Sequence, residues 1–118
     1  MNRTALRSLI IKHEGLKGDA NASEAEALAR LDDAILPLIL QLNARIACFG
    51  SLDTVRQHVL VDIAFNIGVE QLLHFTKMLT AIEEHNFEAA AEDLLSSVWA
   101  KKVGKRADEL AAMLRGER

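Results

Sequence analysis

The chain has 118 residues, half of them hydrophobic and only 4% aromatic, with a formal charge of −3. This length suits one hydrophobic core and not two, and the acidic balance argues against nonspecific nucleic-acid binding, which needs a basic surface. One cysteine, Cys48, excludes an internal disulfide or a multi-cysteine metal cluster and reads as a small buried side chain. Alanine and leucine dominate and tyrosine is absent, which favours helix over sheet.

Leu6, Leu9, Ile10 and His13 recur at helical spacing, so residues 3–14 are predicted to form an amphipathic helix broken by Gly15 and Gly18. Ser23 with Glu26 three residues on is a capping box. A long helix follows it, with an apolar stripe through Leu28, Leu31, Ile35, Leu38, Ile39, Leu42 and Ile46 and a second flank at Leu36 and Leu40. Pro37 removes a backbone donor and is expected to kink this helix without ending it. Ser51 is the expected cap of the next helix, with Asp53 favouring its positive end. That helix has a stripe through Val55, Val59, Leu60, Ile63 and Ile67 and stops at Gly68.

Residues 70–84 read as one helix or two short ones, with Thr76 as an internal cap. Asn86 caps a further helix on which Phe87, Ala90, Ala91, Leu94, Leu95 and Val98 face inward. Ala107, Leu110, Ala111 and Leu114 mark the last helix, ending near Gly116. No segment alternates with period two. The expected fold is all-α, one helical domain over residues 1–118, with six to seven helices around one long central helix.

No apolar stretch precedes a small-residue cleavage site near the start, so no secretory signal is read and a cytoplasmic location is expected. The most apolar run, residues 34–42, contains Pro37 and Gln41 and falls far short of the roughly 20 residues of a membrane span. Of the histidines, His58 has Asp62 at helical spacing, but two ligands do not make a metal site, and solvated or core roles fit better. No cofactor is implied, and no nucleotide loop is present.

Three segments carry chemistry when taken together. The first is Leu9-Ile10-Ile11-Lys12-His13-Glu14-Gly15-Leu16-Lys17, an apolar turn that delivers a carboxylate beside a glycine. The second is SLDTVRQHVLVDIAFNIG at 51–68, and the third is Ser97-Val98-Trp99 followed by Gly104-Lys105-Arg106-Ala107. In order and spacing they resemble the helical lobe of the bacteriophage-type lysozymes, muramidases that cut peptidoglycan glycan.

The resemblance implies that Glu14 is the catalytic general acid and that Arg106 forms an ion pair with it. It also implies that Phe65 and Asn66 lie at the floor of the cleft and that Trp99 faces the glycan. An arginine partner would favour ionised Glu14, while burial would oppose it. Plainer readings stand beside these. Phe65 and Trp99 serve equally as core residues, Asn66 as support for the Gly68 turn, and Arg106 with Glu14 as an ordinary ion pair between helix ends.

The chain departs from the family where the second carboxylate belongs. Glycosidases usually set two carboxyl groups about 5–5.5 Å apart when retaining and about 6.5–9.5 Å when inverting. At the positions of the family's aspartate and threonine stand Ser23, which already caps a helix, and Ala29. Gly18-Asp19-Ala20-Asn21-Ala22 replaces the small β-rich lobe, and Asp19 reads as a solvated turn residue. The abrupt join reads as an internal deletion, engineered more readily than natural because both flanks are intact.

The expected function is a lobe-deleted lysozyme derivative, catalytically impaired, with peptidoglycan glycan binding weak or lost. The alternatives are a weakly active muramidase and a helical scaffold without glycan binding. No nucleic-acid or membrane partner is expected. A homodimer through the Leu36–Leu40 flank is expected, because a helix apolar on several sides needs cover.

Overall fold

The computed structural model of the chain describes residues 2–15 and 23–116. The linker expected at 18–22 lies outside the described residues. Among them are eight α-helices, one 3-10 turn and no strand. The all-α expectation therefore holds. The helix count exceeds seven because residues 87–103 divide in two. The helices group into two compact units, Met1–Val69 and Glu70–Arg118.

In the first unit, α1 (Arg3–Glu14) starts at Asn2, whose side-chain oxygen accepts from the Ala5 N–H at 3.1 Å. It ends at Gly15, whose φ of 80° suits glycine and whose N–H donates to the Ile11 carbonyl at 2.7 Å. Leu6 and Ile10, four apart, are its buried pair. Helix α2 (Glu24–Arg45) is capped by the Ser23 hydroxyl, which accepts from the Glu26 N–H at 3.1 Å. It runs through Pro37 as one 22-residue element. Ile35, Leu42 and, just beyond the helix, Ile46 are buried; Leu28, Leu31, Leu38 and Ile39 are half-buried.

The 3-10 turn Phe49–Ser51 leads to α3 (Thr54–Ile67). Its cap is Asp53, not the expected Ser51. The Asp53 carboxylate accepts from the Arg56 N–H at 3.2 Å and from the Arg56 guanidinium at 3.0 Å. Ser51 is spent on the preceding turn, where its hydroxyl donates to the Cys48 carbonyl at 2.9 Å. Asp53 has the extended backbone that capping needs, and its charge suits the positive helix end. Residues 58–64 are buried without a break, so α3 shows little one-sided periodicity in the sequence, and Val55 from the expected stripe is exposed. Helix α3 packs against both α1 and α2.

In the second unit, α5 (Thr76–Glu83) follows the short α4 (Val69–Leu73), which is the two-helix reading of residues 70–84. Thr76 is the first residue of α5 and not its cap. Phe75 holds the cap position without a side-chain bond to the helix, its ring packed edge-on against Trp99. Helix α6 (Phe87–Leu95) is capped by Asn86 as expected, at 3.2 Å from the Ala89 N–H. It does not continue to Val98. The Ser96 and Ser97 hydroxyls donate to the Glu92 and Leu94 carbonyls, and Ser97 caps α7 (Val98–Val103) at 3.1 Å from the Ala100 N–H. The new helix starts out of phase, which leaves Val98 69% exposed.

Helix α8 (Lys105–Arg115) ends at Gly116 in the left-handed conformation. Ala90 and Ala91 on α6 and Ala107 and Ala111 on α8 are all buried, and the two helices pack against each other. Arg115 clasps both oxygens of Glu88 at 3.0–3.1 Å across the same pair. No helix among the described residues is long and apolar enough to cross a membrane.

Candidate active site

Glu14 is the last residue of α1, where the helix must stop because Gly15 turns the chain away. Its Oε2 accepts a hydrogen bond from the Asn66 side-chain amide at 2.8 Å. Beside it lies a cavity of about 150 Å³ lined by Glu14, Gly15, Ala27, Arg30, Leu31, Ala34 and Phe65. The walls are mostly apolar, with one carboxylate and one guanidinium. The structure thus brings together three of the sequence-predicted residues, Glu14, Phe65 and Asn66. Phe65 is half-buried and lends its ring to the cavity wall; Asn66 is exposed.

Asp62 is fully buried in the apolar run Val59 to Phe65, where an unpaired carboxylate would be costly. Its partner is His13, whose Nδ1 lies 2.9 Å from Asp62 Oδ2, with side-chain exposures of 5% and 0%. Sequence spacing had put His58 and Asp62 together instead, and it missed His13, 49 residues away along the chain. The signal was present twice: a histidine on the apolar stripe of α1 and an aspartate inside an apolar run, each in need of a partner.

His58 itself is buried, and its Nε2 has no hydrogen-bond partner among the described residues. Burial holds its pKa below the ordinary 6.5, against a raising hydrogen bond to the Asn2 backbone. No cluster of three metal-ligating side chains occurs among the described residues.

In the second unit, Trp99 and Arg106 lie together. The Arg106 guanidinium carbon stands 6.0 Å from the centre of the Trp99 ring, within the range of a cation–π contact. Phe75 meets the same ring at 6.5 Å and nearly perpendicular. Trp99 is only 8% exposed and Arg106 9%. A second cavity, about 460 Å³, is lined by His74, Phe75, Thr76, Lys77, Met78, Asp93, Ser96 and Ser97.

A glutamate ending the first helix, an amide in the last turn of α3 bonded to it, and a mostly apolar cavity beside the glutamate accord with the lysozyme resemblance. Two curated relatives carry it further. A probable T4-type lysozyme 1 of Dictyostelium discoideum is 26% identical over 94 residues, 79% of this chain and 55% of the relative. A probable T4-type lysozyme 2 of the same organism is 25% identical over 96 residues, 80% of this chain and 56% of the relative. Over about four-fifths of its length the chain is similar to T4-type lysozymes. It spans about half the length of these lysozymes. No family model matches it.

Proposed function

We propose that this lysozyme-like chain is a glycan-recognition domain related to peptidoglycan hydrolases, with hydrolysis lost or residual. The observation that carries the reading is the Glu14 carboxylate, fixed by Asn66 at the wall of a cavity that Phe65 also lines. Within that lining Glu14 is the one acid. Ser23 and Ala29 stand where the resemblance calls for an aspartate and a threonine. The reading includes an internal deletion at 18–22, natural or engineered.

The magnitudes favour binding over catalysis. A general acid alone contributes typically about 10²–10⁴-fold, against rate enhancements of roughly 10⁶ or more for enzymes. A plain helical scaffold is the second reading, favoured by Trp99. Its ring is enclosed by Phe75 and Arg106 and offers little surface for stacking a sugar.

A turbidity assay on chloroform-treated bacterial walls, run beside a peptidoglycan pull-down, tests the proposal. Retention on peptidoglycan without clearing is the expected result. Clearing at a rate within an order of magnitude of an intact T4-type lysozyme, or no retention at all, would overturn it.

A further inference from the structure

Helix α3 places His58, Asp62 and Asn66 at four-residue intervals, and such positions share one helix face. All three meet α1 or its cap. His58 hydrogen-bonds the backbone of Asn2, Asp62 holds His13, and Asn66 holds Glu14. The last two contacts engage adjacent residues of α1 from positions about 6 Å apart along α3. One of the two is almost wholly buried and the other open to solvent.

This arrangement matters because Glu14 ends its helix. Terminal turns fray, and a hydrogen bond between two solvent-accessible side chains contributes little by itself to holding one. The buried contact one residue earlier is of another kind. His13 and Asp62 are sequestered together, and breaking their contact disturbs polar groups in an apolar surround.

We propose that His13 and Asp62 are a positioning pair. They lock the last turn of α1 against α3, so that Glu14 presents Oε2 to the Asn66 amide beside the cavity that it lines. The proposal rests on the reading of Glu14 as the ligand-facing carboxyl. Its test is made on the free protein, so the two stand or fall separately.

The test reads hydrogen exchange of the Asn66 side-chain amide by NMR. The His13→Leu/Asp62→Leu double variant removes both polar partners while keeping the space filled, so neither is left buried alone. Asn66 protection is expected to fall at least about fivefold in it. His13→Gln, which can still donate to Asp62, should retain protection. Asp53→Ala weakens α3 at its cap, and should lower stability without changing Asn66 exchange. A folded double variant with Asn66 protection within about twofold of the parent overturns the pair's role.

If the double variant does not fold, the single variant His13→Leu decides. Asn66 protection that falls in it and returns in His13→Gln supports the pair, and equal protection in the two overturns the proposal. Titration with an N-acetylglucosamine tetramer then judges the ligand reading independently: absence of binding would sink that reading and leave the pair intact.

Discussion

Asn66 donates its side-chain amide to Glu14 Oε2 across 2.8 Å, tying the last turn of α3 to the last residue of α1. The donor fixes one carboxylate oxygen of a residue that lines the cavity. Glutamine in place of Glu14 keeps an acceptor for Asn66 but has no acid proton to give. Glu14→Gln is therefore expected to fold with stability within about 0.5 kcal/mol of the parent, as for most surface changes. It should abolish any trace of wall hydrolysis that the parent shows. Chemical denaturation and a long-exposure turbidity assay check the two halves; surviving hydrolysis would remove Glu14 from the acid role.

The cap of α3 separates two residues that sequence reading had ranked the other way. Asp53→Ala leaves the Arg56 N–H without its acceptor and should cost about 1 kcal/mol, the usual value for a lost N-cap. Ser51→Ala loses only a hydroxyl bond within the exposed 3-10 turn and should cost less. Urea denaturation of the two variants checks the order. Equal losses would put the start of α3 back at Ser51.

His58 gives the fold a pH dependence with a definite sign. Burial lowers its pKa in the folded chain below the 6.5 of the unfolded one, so the unfolded chain binds more protons as the pH falls through that range. Stability should decline as pH drops below about 6.5, with a slope of at most about 1.4 kcal/mol per pH unit from this one group, and level off below the folded-state value. Protonation places an N–H on Nε2, where no acceptor is at hand among the described residues. Replacing His58 by Gln should flatten the profile between about pH 7 and pH 5. An unchanged slope in urea titrations across that window would show that His58 is not its source.

Much of this was legible in the sequence because local chemistry and burial agreed. Ser23 and Asn86 cap where their spacing said, and Gly15, Gly68 and Gly116 follow the helices that they were expected to end. The failures occur where one residue had two jobs to choose between. Ser97 could have continued α6 or capped α7, and its hydroxyl does the second, which turns Val98 outward. In the candidate site, Glu14, Phe65 and Asn66 were legible through resemblance. The His13–Asp62 contact was not, because a pairing across 49 residues leaves no periodic trace. Its only marks were two polar residues in apolar settings.

The two compact units are expected to unfold together, as one helical domain. Near-ultraviolet signal from Trp99 reports the second unit, and exchange of the α3 amides at 58–64 reports the first. Both should be lost in one transition with a shared midpoint. Separate midpoints would make them independent domains. A compact state that binds a hydrophobic dye and lacks near-ultraviolet signal would deny fixed packing altogether.

Leu40 decides the last prediction. It is 71% exposed on α2, beside half-buried Leu36 and one turn from other apolar positions of the same helix. A single exposed leucine is ordinary on a protein surface, and a continuous apolar flank is not. Sequestering Leu40 against a second copy would remove apolar surface worth roughly 1.5–3 kcal/mol per fully buried leucine, and a two-fold arrangement counts each contact twice. Ordering and lost translational freedom consume much of that gain, so the dimer should be weak and visible only at high concentration. Light scattering over a concentration series is expected to show mass rising toward that of a dimer, with Leu40→Glu returning it to monomer. A chain that stays monomeric at millimolar concentration, with Leu40→Glu indistinguishable from the parent, would leave this flank of α2 as plain solvated surface.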